Sequence, residues 1–156
     1  MSPPLVLIPT YNERENVEAL SAAVRASLPE ADLLFLDDGS PDGTGELLDR
    51  LAREDSHIHV LHRAEKAGLG AAYLAGFRWS LEREYGLSLC MDADFSHSPS
   101  DLPRMKQALD QADLAAGSRY MPGGEIRNWP LHRRLLSQGG RLYARLLTRM
   151  PFTDPT

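Results

Sequence analysis

The stretch DLLFLDDGSPDGTGELLDRL, residues 32–51, decides the fold class that we predict for this chain. It begins with an apolar run, DLLFLD, which is typical of a buried strand. It ends with GELLDRL, whose leucines recur at the spacing of an amphipathic helix. The residues between them are the Asp, Gly, Ser and Pro of a turn. A strand, a turn and a helix in this order predict one half of a βαβ unit and a parallel sheet.

The same alternation of apolar runs and helical periods continues through the rest of the chain. We predict strands at 5–9, 32–37, 57–62, 87–92 and 113–118, and helices at about 14–27, 44–54, 69–84, 100–111 and 130–149. Side-chain oxygens at Asn12, at 42–44 and at 98–100 are expected to cap three of these helices. Four strands are apolar throughout, which is typical of strands that helices cover on both faces. The prediction is one domain, residues 1–156, with a doubly wound, Rossmann-like α/β fold.

Composition excludes several classes of protein. The chain has 156 residues, 42% of them hydrophobic and 25% charged, as in an ordinary globular domain. The single cysteine, Cys90, excludes an internal disulfide framework and fits a reducing cytoplasm. The N-terminus lacks the features of a signal peptide, and no window approaches the roughly 20 apolar residues of a membrane span. We therefore expect a cytoplasmic protein.

Positive charge is concentrated near the C-terminus. Residues 119–149 contain seven arginines and one acid, Glu125, although the net charge of the whole chain is −5. This segment includes a long Gly- and Pro-rich loop at 120–130, and in the helix predicted after that loop arginines alternate with leucines. A basic amphipathic helix of this kind packs on a core or lies on an anionic membrane surface, and the sequence leaves both alternatives open. No recognised nucleic-acid-binding module accompanies the arginines, and the rest of the chain is strongly acidic, so we predict no nucleic-acid partner.

Chemically distinctive residues follow four of the predicted strands. They are PTYNE, DDGSPDGT, DADFSH and GSRY. In open α/β sheets ligands bind beyond the carboxyl ends of the strands, so these four segments are expected to meet in one crevice. DDGSPDGT is either a plain turn or a strand end at which one of two carboxylates, Asp37 or Asp38, accepts hydrogen bonds from a nucleobase or a ribose hydroxyl. GLGAAY at 68–73 lacks the third glycine of a dinucleotide fingerprint and is interpreted as a helix start that packs on the sheet.

The stretch LCMDADFSH, residues 89–97, places two carboxylates at the end of a buried strand. Asp92 and Asp94 would repel each other unless a cation lay between them. In extended backbone residues i and i+2 face the same side, so both can face one ion. Magnesium and manganese accept one or two carboxylates together with substrate phosphates. A solvated acidic turn is the alternative, and His97 is interpreted as a loop residue rather than a ligand.

Five segments together resemble the polyprenol-phosphate (dolichol-phosphate) mannose synthases, inverting glycosyltransferases of the GT-A fold. The segments are PTYNERENV, LFLDDGSPDGT, MDADFSHSP, GSRYMPGG and NWPLHRRLLSQGG, in this order. The resemblance covers essentially the whole chain. It implies transfer of mannose from GDP-mannose to a polyprenyl phosphate at the cytoplasmic face of a membrane, with magnesium or manganese as the metal. Relatives continue beyond the position of Thr156, so we expect this chain to be a fragment.

The resemblance also implies roles for individual residues. Pro9, Tyr11, Glu13, Leu36 and Asp38 would bind the nucleotide. Asp92 and Asp94 would carry the metal, with Ala93 close to the sugar and Ser96 at a position where some relatives have a further metal ligand, Gln. Arg119, Arg133 and Ser137 would receive the lipid phosphate, and Arg119 would also contact the donor. Together with Asp94, these three residues are the predicted catalytic set.

The chemistry of a phosphate acceptor agrees with these residues. A phosphomonoester is already anionic at neutral pH, so it attacks the anomeric carbon without a general base. Positioning and charge stabilisation are then what the protein has to supply. Two alternatives remain open at this point: a polyprenyl-phosphate glycosyltransferase that uses a UDP-sugar, and a non-catalytic nucleotide-binding fragment.

Overall fold

The structure, a computed structural model, describes residues 3–64, 67–118 and 139. Strands and helices alternate along the described chain, as in a series of βα units. In chain order they are β1 (Leu5–Thr10), α1 (Val17–Ser27), β2 (Asp32–Asp37), α2 (Thr44–Glu54), β3 (Ile58–His62), α3 (Leu69–Glu82), β4 (Ser88–Cys90), a 3-10 helix (Pro99–Asp101) and α4 (Leu102–Ala108).

The four strands form one parallel sheet in the order β3-β2-β1-β4. Leu5 pairs with Asp32 of β2 on one side and with Ser88 of β4 on the other. The chain therefore builds outward from β1 to β3 and then crosses to the opposite side of β1. Such a change of direction opens a crevice between β1 and β4 at the carboxyl ends of the strands. The sheet confirms the predicted α/β class.

The two central strands are buried on both faces. Leu5, Leu7, Leu34 and Leu36 form one cluster with Ala72 of α3. Side chains alternate between the faces of a sheet, so the intervening residues point away from α3. Those residues, Val6, Ile8, Leu33 and Phe35, have no exposed surface either. Continuous apolar runs in the sequence therefore correspond to a sheet that is covered on both sides.

A polar cluster joins the amino ends of β2 and β3 to the end of α3. Asp32 accepts a hydrogen bond from the Tyr85 hydroxyl at 2.6 Å, and its other oxygen lies 2.7 Å from Nδ1 of His57. Burial, together with the Asp32 carboxylate, raises the pKa of Tyr85 well above its ordinary value. The Tyr85 ring stacks on the ring of Trp79. The Arg83 guanidinium also lies over the Trp79 ring, 4.1 Å from its centroid. This cluster fixes the sheet at the edge opposite the crevice.

Two predicted strand positions are wrong. Residues 113–118 form no strand, because Ala and Gly have low strand propensity and Leu114, the one large apolar side chain there, is 66% exposed. β4 ends at Cys90, and the backbone turns at Ala93 and Asp94. Asp92 and Asp94 therefore do not lie on extended backbone, and strand periodicity does not place them on one side as predicted.

Of the three predicted side-chain caps, only the one at 42–44 forms. The Asp42 carboxylate accepts a hydrogen bond from the amide of Thr44, the first residue of α2, as predicted. Asn12 caps no helix, because it adopts φ of 60° and α1 begins only at Val17. Ser98 precedes the 3-10 helix, but its hydroxyl contacts Ser100 instead of a helix amide. The predicted helix at 130–149 lies outside the described residues.

The chain divides into two compact units, residues 1–107 and 108–156. The first unit holds the sheet, with α1, α2 and α3 packed around it. The second unit is described at 108–118 and at residue 139, and residues 111–118 have no regular secondary structure. The prediction of a single domain stays a prediction.

Candidate active site

The carboxyl ends of the strands bring three of the predicted motifs to one edge of the sheet. Thr10 and Asp37, the last residues of β1 and β2, are register partners. The Asp38 amide donates to the Thr10 carbonyl at 3.1 Å and extends this pairing by one residue. On the other side of β1, the Met91 amide donates to the Leu7 carbonyl at 3.2 Å. PTYNE, DDGSPDGT and DADFSH therefore all leave the sheet at the same edge.

Asp37 organises the turn that follows β2. Its carboxylate accepts hydrogen bonds from the hydroxyl and the amide of Ser40, and from the Thr10 hydroxyl at 3.4 Å. The side chain of Asp37 is only 4% exposed, so these neutral donors replace the water that burial removes. Asp37 is thus a structural residue of the turn.

Asp38 is paired with Arg63, a residue that follows β3. Arg63 Nη1 donates to Asp38 Oδ1 at 2.6 Å, and the two side chains are 15% and 8% exposed. The Arg63 amide also donates to the Asp37 carbonyl at 2.8 Å, which fixes the position of the arginine. Arg63 is not among the site residues predicted from the sequence. The signal was its place directly after β3, at the edge where the other motifs leave the sheet.

Glu13 and Tyr11 lie on the loop between β1 and α1. The Glu13 amide donates to the Thr44 hydroxyl at 3.0 Å, and the Glu13 carboxylate accepts a hydrogen bond from the Asn16 side chain at 2.7 Å. The Tyr11 side chain is exposed at this edge. The structure therefore holds Glu13 by its amide and by its carboxylate.

Pro9 and Leu36 are register partners in β1 and β2, one residue before the strand ends. Leu36 has no exposed surface, and its Cδ1 atom would lie 3.0 Å from a Cβ atom added to Gly76 of α3. This leucine thus packs beneath the edge. A nucleotide contact for Leu36 stays a prediction.

The acidic loop after β4 is organised by two residues that the metal argument did not use. The Asp92 amide donates to Nδ1 of His97 at 3.1 Å, so the neutral ring of His97 carries its proton on Nε2. The Tyr73 hydroxyl of α3 donates to Asp92 Oδ1 at 3.4 Å. Burial and the nearby Asp92 carboxylate raise the pKa of Tyr73 well above its ordinary value. His97 lies in the loop and fixes the backbone of Asp92; that it is not a metal ligand stays a prediction.

Asp94 is exposed and remains ionised. The Ser96 hydroxyl bonds to it, and the Ser96 amide donates to Asp94 Oδ1 at 2.9 Å; these contacts hold the pKa of Asp94 below its ordinary value. Phe95, which lies between Asp94 and Ser96, adopts φ of 58° and turns the chain sharply there. Ala93 is buried. The predicted contact of Ala93 with the sugar stays a prediction.

The donor set of this loop fits a hard divalent cation. Carboxylate and hydroxyl oxygens are the atoms that magnesium and manganese prefer, and Asp94 is held in the ionised form that binds a metal. Among residues 3–64 and 67–118, no group of three or more His, Cys, Asp and Glu side chains could hold a metal ion. A cation at Asp92 and Asp94 would therefore depend on further oxygens, such as those of a diphosphate.

The predicted phosphate-binding residues Arg119, Arg133 and Ser137 lie outside the described residues. Their proposed role in binding a lipid phosphate stays a prediction. The same holds for the basic segment at 119–149 and its two alternative interpretations.

The sequence of the chain matches a family of glycosyltransferases. Residues 5–155 match Glycosyl transferase family 2. The match covers nearly the whole chain, so the chain belongs to glycosyl transferase family 2. Family membership and the parallel sheet together confirm the predicted α/β fold of the GT-A type.

Individual relatives fall within one group of mannosyltransferases. An undecaprenyl-phosphate mannosyltransferase of Micrococcus luteus is 51% identical over 97% of this chain and 63% of its own length. A polyprenol monophosphomannose synthase of Mycolicibacterium smegmatis is 53% identical over 97% of this chain and 58% of its own length. The chain thus spans about 60% of the length of these two relatives.

One solved structure is similar at a lower level. It is a mannosyltransferase of Pyrobaculum calidifontis in complex with GDP-Man and Mn2+, with a TM-score of 0.45 and 22% identity over 51% of this chain and 25% of its own. In the part of the chain that the structure describes, no helix has both the length and the apolar character to span a membrane.

Proposed function

We propose that this chain is the catalytic part of an inverting mannosyltransferase that moves mannose from GDP-mannose to a polyprenyl phosphate. The observation that carries the proposal is the identity of 51% and 53%, over nearly the whole chain, to relatives named for transfer of mannose to undecaprenyl phosphate and for synthesis of polyprenol monophosphomannose. The resemblance recognised from the sequence motifs supports the same activity.

The donor nucleotide is proposed to bind at the edge formed by β1 and β2. Asp38 offers a carboxylate that Arg63 already orients, and a carboxylate has about four acceptor sites, so one bond to Arg63 leaves capacity for a base or a ribose. Tyr11 and Glu13 lie on the neighbouring loop. Pro9 and Leu36 support this edge from β1 and β2.

Asp92 and Asp94 are proposed to hold magnesium or manganese, with Ser96 beside Asp94. When bound, the cation would supply positive charge that stabilises the departing diphosphate. The protein contributes an ionised Asp94 and an Asp92 that His97 and Tyr73 hold in place. Ala93, between the two carboxylates, is proposed to lie close to the sugar.

The acceptor is proposed to be a polyprenyl phosphate at the cytoplasmic face of a membrane. Arg119, Arg133 and Ser137 would bind its phosphate, because arginine forms bidentate contacts with phosphate oxygens. The remaining arginines of 119–149 would favour an anionic membrane surface. This acceptor is ionised at neutral pH, so the reaction requires no general base to remove a proton.

A donor comparison tests the proposal. The protein is incubated with a short polyprenyl phosphate, Mn2+ and either GDP-mannose or UDP-glucose, and the glycolipid product and its anomeric configuration are measured. We expect transfer of mannose with inversion from GDP-mannose alone. Turnover with UDP-glucose alone would support the UDP-sugar alternative. Tight GDP binding by calorimetry without transfer from either donor would support a nucleotide-binding module.

A further inference from the structure

The turn after β2 is bonded to the loop after β1 by a series of side-chain contacts. Ser40 Oγ accepts the Asn12 amide at 3.0 Å, Thr44 Oγ1 accepts the Glu13 amide at 3.0 Å, and Asp42 Oδ2 accepts the Arg14 amide at 3.2 Å. Three consecutive amides of one loop are therefore held by three side chains of the other. We call residues 12–14 the donor loop and residues 40–44 the clasp.

The backbone of the clasp is shaped for these contacts. Gly43 adopts φ of 86°, a conformation that glycine tolerates and other residues rarely adopt. A Cβ atom at Gly43 would overlap with Nη1 of Arg14, so the arginine side chain occupies the space that any larger residue would need. That same nitrogen donates to the Gly43 carbonyl at 3.1 Å, a fourth bond between the two segments.

The clasp is itself anchored to the fold. The Ser40 hydroxyl donates to the buried carboxylate of Asp37. Thr44 has no exposed surface, and its hydroxyl donates to Asp42 Oδ1 at 2.6 Å while it accepts from Glu13. Partial desolvation acts to raise the pKa of Asp42, but hydrogen bonds from Thr44 and from the Arg14 amide outweigh it and lower the pKa. The carboxylate that holds the Arg14 amide therefore stays ionised.

From this geometry we infer that Ser40, Asp42 and Thr44 are positioning residues for the donor nucleotide. They set the conformation of the donor loop, which carries Glu13 and follows Tyr11, before any nucleotide is bound. Binding then costs less ordering of the loop, because the amides of residues 12–14 are already fixed. The inference rests on the proposed function, since it assigns the donor loop to a nucleotide.

Thr44 offers the sharpest test, because valine has nearly the shape of threonine and lacks the hydroxyl. Thr44→Val removes both the bond to the Glu13 amide and the bond to Asp42, while Thr44→Ser keeps the hydroxyl. Ser80→Ala is the matched control: it deletes a buried hydroxyl that bonds to Ser88 at 2.9 Å, at the opposite edge of the sheet. Amide hydrogen exchange of Glu13 and the affinity for GDP with Mn2+ are measured for all four proteins, together with kcat and KM for GDP-mannose.

We expect the Glu13 amide to exchange faster in Thr44→Val, with affinity for GDP and 1/KM reduced about tenfold and kcat changed less. Thr44→Ser and Ser80→Ala should bind GDP as the unaltered protein does. Unchanged exchange at Glu13 in Thr44→Val would refute the clasp. Faster exchange with unchanged GDP affinity would refute its role in positioning. If the unaltered protein binds no GDP, the proposed function fails and the nucleotide role of the clasp fails with it, whereas the exchange data still show whether the contacts form.

Discussion

Replacement of Arg63 by methionine removes the cation that is paired with Asp38 and keeps most of the length of the side chain. The ion pair is nearly buried, with side-chain exposures of 15% for Arg63 and 8% for Asp38, and the N–O distance is 2.6 Å. Within the part of the chain that the structure describes, no other cation lies within salt-bridge distance of this carboxylate. The variant therefore leaves a charged group in a poorly hydrated position without its partner.

The expected loss of stability follows from that burial. Removal of one partner of a buried ion pair lowers the free energy of unfolding by about 3–5 kcal/mol. Because the Arg63 side chain is partly exposed, we expect a loss at the lower end, about 3 kcal/mol. In a domain of this size 1 kcal/mol corresponds to roughly 2–4 °C in Tm, so we expect Tm to fall by about 6–12 °C. Addition of Asp38→Asn should recover part of the loss, because a neutral amide is cheaper to bury than an unpaired carboxylate.

The assay is thermal and urea unfolding followed by circular dichroism, with Arg50→Met as the control. Arg50 lies 3.5 Å from Glu18 and from Glu54, but its side chain is 45% exposed, so we expect a loss below about 1 kcal/mol. A high salt concentration should leave the effect of Arg63→Met nearly unchanged, because buried pairs are screened little. If Arg63→Met and Arg50→Met lower Tm equally, the reasoning about the buried pair is wrong.

Three further predictions concern packing, pH and the metal. Gly76→Ala should lower the free energy of unfolding by about 1–3 kcal/mol, because the added Cβ would lie 3.0–3.3 Å from side-chain atoms of Leu36 and Leu7. Gly70→Ala is the control: its Cβ would have no atom within 4 Å, so we expect a gain of up to about 1 kcal/mol. Equal effects of the two substitutions in urea unfolding would contradict this prediction. Burial lowers the pKa of His59, so the unfolded chain takes up a proton first and stability falls as pH drops below about 6.5. His59→Gln should lose less stability than the unaltered protein between pH 7.5 and 5.5, and parallel pH profiles would refute this. Asp94→Asn should weaken Mn2+-dependent GDP binding in calorimetry with Tm within about 2 °C, since Asp94 is exposed; unchanged Mn2+ dependence would count against the metal assignment.

The central part of the fold could be predicted because it depends on local patterns. The apolar runs of β1 and β2 are continuous, and both strands are buried on both faces. The end of β4 was misplaced because the apolar run LCM continues past Cys90, where pairing with β1 ends. The strand predicted at 113–118 failed because alternation along the chain was extrapolated to a segment with weak strand propensity.

The contacts that organise the candidate site could not be predicted, because they join residues far apart in the sequence. Asn12 and Ser40 are 28 positions apart, and Glu13 and Thr44 are 31 apart. They meet because the register of β1 and β2 places Thr10 opposite Asp37, and that register could not be predicted from the sequence. Asn12 was assigned to a helix cap from its local context, whereas its amide bonds to Ser40 across the edge of the sheet.

The two adjacent carboxylates of DDGSPDGT show how one motif carries two roles. Asp37 is satisfied by neutral donors, the Ser40 hydroxyl and amide and the Thr10 hydroxyl, so its oxygens are occupied by the turn. Asp38 is instead paired with Arg63, a cation that compensates its charge through one of its oxygens. Two neighbouring buried acids thus depend on different partners. The turn interpretation therefore holds for Asp37, which builds the turn through Ser40, whereas the nucleotide interpretation of Asp38 stays a prediction.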